Sequence, residues 1–229
     1  MKTTALLACL LGFTLCAHAA TPATTPAPVK PDPKKETEFT FKGTPMGATL
    51  AAWAKSQPAT MQAYLPHIPG ARSDTLYLGI DSPTFAECSL LEMTLYFKER
   101  RAKTVAAMTS NNGVFDSTHK LSDLLRGTHT MDASGLTLER VVALFEPYAF
   151  DKIADALTGK YGKPAALTAE FQTVAGAKYD NTILTWVIGD VHVELAQRFQ
   201  TLQQGRLLIL SKTAQAGDAA ADKNAAKDI

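Results

Sequence analysis

Three residues capable of binding a metal stand at every second position near the end of the sequence. In the segment TWVIGDVHVELAQRF, residues 185–199, they are Asp190, His192 and Glu194. On one flat strand, alternate side chains point to the same side, so an imidazole and two carboxylates would converge. Zinc accepts both kinds of ligand. The spacing therefore raises the hypothesis of a metal site.

The residues between these groups argue against a single strand. A Gly-Asp dipeptide separates two strand-like runs, TILTWVI and VHVELAQ, and it suits a two-residue hairpin turn. The hairpin has an apolar face and a polar face, and His192 and Glu194 are two neighbours on the polar one. Two donors are too few for a zinc site, so the sequence predicts no metal ligand and no cofactor. The predicted cross-strand pairs are Ile188 with Val191, Trp186 with Val193, Leu184 with Leu195, Val187 with His192 and Thr185 with Glu194.

The other residues that could do chemistry are dispersed. Cys88, with His119 or His129 as base, would be a nucleophile, but its flanks FAECSLLEM lack a cysteine-protease signature, and we expect it to be buried. His67 stands in the proline-bounded LPHIPG, which indicates a surface loop. The chain contains no Gly-x-Ser-x-Gly elbow, no His-Glu-x-x-His and no phosphate-binding glycine motif. The sequence therefore predicts no catalytic residue.

The first 19 residues have the pattern of a secretory leader. Lys2 precedes an apolar run at residues 5–15, and Ala17 and Ala19 have the spacing that a signal peptidase reads. The run is shorter than the roughly 20 residues that cross a bilayer. A lipid-modified Cys9 would leave too little apolar chain ahead of it for export. We expect a signal peptide at residues 1–19, cleavage near Ala19, and a periplasmic or secreted protein without a transmembrane segment.

The charge balance restricts the partners. The chain has 23 basic and 22 acidic residues, and loss of Lys2 with the leader makes the two numbers equal. This composition gives no basic surface for nucleic acid. Of three cysteines only Cys88 remains after the leader, so no internal disulfide is expected and stability depends on an apolar core.

Composition divides the rest of the chain into three parts. Residues 20–36, ATPATTPAPVKPDPKKE, predict a disordered spacer rich in Pro, Thr and Ala. Residues 213–229, TAQAGDAAADKNAAKDI, have no large apolar residue with which to pack, and predict a disordered tail. Residues 37–212 between them predict a single domain of ordinary size.

Hydrophobic periodicity predicts two helices. FDKIADALTGKYG presents Phe150, Ile153, Ala154, Leu157 and Tyr161 on one stripe and ends at a glycine followed by Lys and Pro. A second helix is predicted in ATLAAWAKS, at residues 48–56, with its apolar side at Leu50, Trp53 and Ala54.

Alternation of apolar and polar residues predicts the strands. The apolar face of SLLEMTLYFK consists of Leu91, Met93, Leu95 and Phe97. The charged run KERRAK predicts a solvated hairpin tip leading into TVAAM. Further strands are predicted in TLYLGI, in LERVVALFE and around Phe171, with a turn at Asp180 and Asn181. GRLLILS is apolar on both faces, which indicates a central strand. The predicted fold is α+β: an antiparallel sheet with helices packed on one face, in two helix-then-meander halves.

This order of motifs resembles that of a known group of proteins. FKGTPMGATL at residues 41–50, AFDKIADALTGKYGKP at residues 149–164 and YDNTILTW at residues 179–186 resemble segments of small exported bacterial envelope proteins of unassigned function. The helix-then-meander halves are similar to the small lipoprotein of the outer-membrane barrel-assembly machinery and to the β-lactamase inhibitor proteins. Those proteins act by binding other proteins. The chain lacks a convincing lipidation site, so the membrane anchor of the lipoprotein is not carried over.

Two functions from different classes follow from these observations. The resemblance implies an exported binding or assembly accessory of the bacterial envelope, whose partner is an envelope protein or peptide. The alternative is a periplasmic hydrolase with an unusual active site. A concave apolar patch would favour binding, whereas a deep pocket that collects acid and base groups would favour catalysis.

Overall fold

A computed structural model of the protein describes residues 36–68, 74–99 and 135–225, and the side chains up to residue 221. The predicted signal peptide, the spacer up to residue 35, residues 100–108 of the predicted hairpin, His119 and His129 lie outside the described residues. In chain order the elements are β1 (Thr40–Phe41), β2 (Thr44–Pro45), α1 (Leu50–Ser56), β3 (Ala63–Tyr64), β4 (Thr75–Ile80), β5 (Thr84–Phe85), β6 (Cys88–Ser89), β7 (Glu92–Glu99), β8 (Leu136–Phe145), a 3-10 turn (Pro147–Ala149), α2 (Phe150–Tyr161), β9 (Ala165–Gln172), β10 (Lys178–Ile188), β11 (Val191–Ala196), β12 (Gly205–Leu210) and α3 (Lys212–Ala225).

Eight of the strands form one antiparallel sheet in the order β3-β4-β7-β8-β12-β11-β10-β9. The first four follow α1 and the last four follow α2, so the sheet consists of two meanders, each preceded by a helix. The halves meet where β8 pairs with β12, from Gly205 opposite Phe145 to Leu210 opposite Arg140. The predicted α+β class and the predicted helix-then-meander halves are confirmed.

Helices α1 and α2 each pack against strands of the sheet. The Trp53 ring of α1 lies edge-on to Phe97 of β7, with ring centroids 5.7 Å apart. At the end of α2, Trp186 of β10 donates its indole N–H to the Gly162 carbonyl at 2.8 Å. Both indoles are buried. The largest fully buried side chains among the described residues are Trp53, Phe41, Phe97, Phe145, Met93, Leu95, Leu136, Leu138, Ile153, Leu195, Leu207 and Ile209.

The predicted helix and hairpin are found where the sequence places them. The stripe of α2 buries Phe150, Ile153, Ala154 and Leu157, and Gly162 follows it with φ +89°. All five predicted pairs of the β10–β11 hairpin are present, including Trp186 with Val193 and Val187 with His192. The turn between them is Gly189–Asp190, as predicted.

Helix α3 occupies residues that composition assigned to a disordered tail. It lies against the sheet, where Asp218 accepts a hydrogen bond from Arg140 of β8. The Ser211 hydroxyl caps its first turn by accepting from the Ala214 N–H at 3.1 Å. The tail lacks large apolar side chains, but a capping serine and polar partners on the sheet give it a place to dock. None of the described helices is long and apolar enough to span a bilayer.

Two local predictions differ from the structure. Asp180 and Asn181 lie inside β10 rather than in a turn, because Asn181 exchanges two hydrogen bonds with the backbone of Arg198, at 2.8 and 3.1 Å. The chain reverses earlier, around Gly176 at φ +85°. Leu91 precedes β7 and remains 48% exposed, so the apolar face of that strand begins at Met93.

Candidate functional site

Two short hairpins and α2 enclose a groove of about 470 Å³, called here the hairpin groove. The β1–β2 hairpin turns at Lys42 and Gly43, and the β5–β6 hairpin turns at Ala86 and Glu87. The groove is lined by Phe39, Thr40, Lys42, Gly43, Thr84, Phe85, Ala86, Glu87, Ala156, Leu157, Lys160 and Tyr161.

Aromatic contacts fix the walls of the groove. Phe39 lies against Tyr161 at the end of α2, with ring centroids 5.2 Å apart. Phe41 stacks on Phe85 at 6.3 Å and so joins one hairpin to the other. Offset or tilted pairs at such distances are favourable arrangements of two rings. The groove is therefore an apolar recess of the size that small ligands and single side chains occupy.

Both hairpin turns hold residues other than glycine in the left-handed backbone region. The φ angles are +48° at Lys42, +49° at Ala86 and +58° at Glu87. Two-residue hairpins need positive φ at both turn positions, and non-glycine residues adopt it at a cost of roughly 1 to 3 kcal/mol each. Such strain concentrates at binding sites. Here one such position, Lys42, lies in the lining of the groove.

Lys42 is the one charged side chain of the groove without a partner among the described residues. Lys160 pairs with Glu36 at 3.1 Å, and Glu87 pairs with Lys152 at 3.5 Å. Burial lowers the pKa of Lys42 below its usual value. At Lys160 burial is the largest single effect and lowers the pKa, but the hydrogen bonds and charges of Glu36 and Tyr161 together outweigh it and the pKa is raised. Lys42 is thus a partly desolvated cation that lacks an anion.

A second, smaller cavity of about 230 Å³ lies between α3 and the sheet. Glu139, a buried residue of its lining, accepts hydrogen bonds from Thr137 at 2.8 Å and from Ser211. Arg140 bonds to α3 and lies 5.7 Å from the centre of the Tyr96 ring. Burial raises the pKa of Tyr96, against the opposing effect of Arg140, so the phenol stays protonated at neutral pH and is no general base. These contacts dock α3.

Two of the three residues that raised the metal hypothesis take part in ion pairs. Glu194 accepts from Arg206 at 2.6 Å, and Asp190 faces Lys212 at 3.2 Å. Within the three described ranges, no three His, Cys, Asp or Glu side chains are grouped to hold a metal ion. Cys88 is half-buried rather than fully buried, and its thiol faces the Ala86 carbonyl at 3.6 Å.

The hairpin groove is not apparent from the sequence. One signal was present: Lys-Gly between Phe41 and Thr44 is a dipeptide that suits a two-residue turn. The second turn, Ala86–Glu87, has no such signal, since neither residue favours positive φ. Comparisons of the sequence with protein-family models and with curated proteins, and of the fold with solved structures, gave no match.

Proposed function

We propose that this chain is an exported binding protein of the bacterial envelope that holds a segment of another protein in the hairpin groove. One observation carries this proposal: an apolar recess bordered by Lys42, a partly buried cation with no counter-ion among the described residues. A desolvated unpaired charge costs stability. Its presence is explained if a partner supplies the missing anion.

The groove indicates the chemistry of that partner. In this arrangement an apolar side chain of the partner packs against Phe85 and Tyr161, and a carboxylate next to it pairs with Lys42. Because both hairpin turns are fixed by aromatic contacts, the site is formed before the partner arrives, which reduces the entropy lost on binding. The carboxylate belongs either to an Asp or Glu side chain or to the chain end of the partner.

Catalysis receives less support from the same residues. Among the described groups whose pKa moves, only Lys42 moves toward neutral pH; the tyrosines and Lys160 move away from it. A lone amine in an apolar recess suits recognition of an anion. Export is part of the proposal because of the leader pattern at residues 1–19, and the resemblance to envelope proteins that bind other proteins favours the same function.

Peptides with an apolar residue beside a carboxylate test this proposal. Fluorescence anisotropy would compare three labelled peptide sets that differ only in the carboxylate: an internal Glu, a free C-terminus, and a neutral Gln or amide. We expect one carboxylate set to bind and Lys42→Met to weaken its binding at least tenfold, because the ion pair is lost. Lys55→Met, at an exposed position on α1, is the matched control and should bind like the wild type.

The pH dependence and the stability of Lys42→Met supply independent readouts. Pairing with a carboxylate raises the pKa of Lys42. The affinity for the peptide should therefore fall as the pH rises above the lowered pKa that Lys42 has in the free protein. In the free protein, the charged form of Lys42 opposes folding at pH values below its lowered pKa. This effect is lost as the pH rises from the lowered pKa to the usual lysine pKa of 10.5. Lys42→Met should therefore leave the Tm unchanged or raise it. Equal binding of charged and neutral peptides, or a Tm loss that accounts for the weaker binding, would contradict the proposal.

A further inference from the structure

Strand β9 forms a long free edge of the eight-stranded sheet. It spans eight residues, Ala165–Gln172, and among the described residues only β10 pairs with it. The strand at the other end, β3, has two residues. Short edge strands are protected against pairing with another chain, whereas long ones present a row of free backbone groups.

The ladder shows which backbone groups of β9 are free. Past the end of the strand, the Thr173 N–H donates to the Ala177 carbonyl at 2.8 Å, in register with the β9–β10 pairs. Because backbone direction alternates along a strand, odd-numbered residues of β9 bond to β10 and even-numbered ones face outward. The outward N–H and C=O groups belong to Ala166, Thr168, Glu170 and Gln172.

Features that usually protect an edge are missing from β9. Its sequence AALTAEFQ contains no proline, lysine or arginine. Its one charge, Glu170, is paired with Lys178 at 2.9 Å. Leu167 is 61% exposed, on the same face of the strand as Phe171.

We propose that β9 pairs antiparallel with β9 of a second copy of this chain, about a two-fold axis at Ala169. This register joins the free groups of Thr168 to those of Glu170 in the other copy, and those of Ala166 to those of Gln172. On the face of the sheet that carries the side chains of Leu167 and Phe171, this register places each Leu167 opposite Phe171 of the other copy. Two sheets thereby become one, and the exposed leucine gains an aromatic cross-strand partner.

The sequence of β9 favours pairing with a second β9 strand, and it favours this register over the neighbouring ones. An axis at Glu170 would oppose two carboxylates, which is destabilising. An axis at Thr168 would place Phe171 opposite Ala165 and leave Leu167 without an aromatic partner. The axis at Ala169 opposes Glu170 to Thr168 and matches both large apolar residues. In it the two Ala169 residues form a pair without mutual hydrogen bonds, in which side chains are closest.

Cysteine cross-linking tests the register. In the full chain with all three native cysteines replaced by serine, we expect Ala169→Cys to form a disulfide dimer on mild oxidation, seen by non-reducing electrophoresis. Ala166→Cys, on the same edge but opposite Gln172, is the matched control and should stay monomeric. Equal cross-linking of the two variants would overturn the register, and no cross-linking of Ala169→Cys would overturn the pairing.

Sedimentation velocity of the wild type over increasing concentration tests the association itself. Thr168→Pro removes an outward N–H and should abolish the dimer, whereas Thr168→Val retains it. If Thr168→Pro fails to fold by circular dichroism, Leu167→Lys serves instead, since it adds a charge to the interface without removing a backbone donor. A wild type that remains monomeric at every concentration, or a dimer that survives in both folded variants, would refute the proposal.

Discussion

Trp186 and His192 are near neighbours in one hairpin but lie on its two different faces. We therefore expect them to contribute very differently to stability. Trp186 is 3% exposed and its indole N–H is bonded to the end of α2. His192 is on the other face, where it is partly exposed. Trp186→Ala should lower the free energy of unfolding by about 3 to 5 kcal/mol, and His192→Ala by no more than about 0.5 kcal/mol. Urea denaturation measures both, and similar losses would mean that the assigned faces are wrong.

Individual residues were predictable where one local rule decides their position. Periodicity of two and a Gly-Asp turn are enough to fix the register that separates Trp186 from His192. Lys42 was not predictable, because its role depends on α2 and on a second hairpin distant in sequence. Asp180 and Asn181 resemble turn residues, but Asn181 donates one hydrogen bond to the backbone of the distant Arg198 and accepts another from it, which keeps them in a strand. Local propensity does not predict the secondary structure where a contact with a residue distant in sequence determines it.

At the scale of elements, Gly205 is where the two meanders meet. A Cβ at Gly205 would collide with the ring of Phe145, its partner on β8, and would lie 3.0 Å from the Ala196 carbonyl oxygen on β11. Phe145 is fully buried and has little room to move. Gly205→Ala should therefore lower the free energy of unfolding by about 1 to 3 kcal/mol.

Gly159 in α2 provides the control for this substitution. A Cβ there meets no atom within 4 Å, and alanine favours a helix interior over glycine by about 0.5 to 1 kcal/mol. Gly159→Ala should accordingly raise the Tm while Gly205→Ala lowers it. If Gly205→Ala leaves the free energy of unfolding unchanged, the two meanders do not approach each other as closely at this point as described.

The elements differ in how far composition reveals them. The apolar stripe of α2 predicts its buried face, and Gly162 followed by Lys163 and Pro164 predicts its end. Helix α3 has no such stripe and is fixed by Ser211 and Arg140, so its docking depends on contacts that its own composition does not show. The cap was readable, because a serine before a helix-compatible run is a start signal.

At the scale of the whole molecule, the two meanders share one sheet and one core. All described residues belong to one compact unit that begins at Pro33. Backbone pairing of β8 with β12 continues the sheet between the halves, and the adjoining side chains Val141, Ala143, Leu207 and Ile209 are all fully buried. Separating the halves would expose this apolar surface, which costs free energy in proportion to its area. Unfolding of one half should therefore be coupled to unfolding of the other.

The two tryptophans of the chain make this coupling measurable, since Trp53 is in the first half and Trp186 in the second. In Trp186→Phe only Trp53 reports by fluorescence, and in Trp53→Phe only Trp186 does. For each variant, we expect the urea midpoint from fluorescence to equal the midpoint from far-ultraviolet circular dichroism, because a single cooperative unit gives coincident transitions by different probes. Each variant serves as its own control, since both signals come from one sample. Fluorescence and circular dichroism midpoints that differ, in opposite directions in the two variants, would show that the halves unfold separately and that the shared core does not couple them.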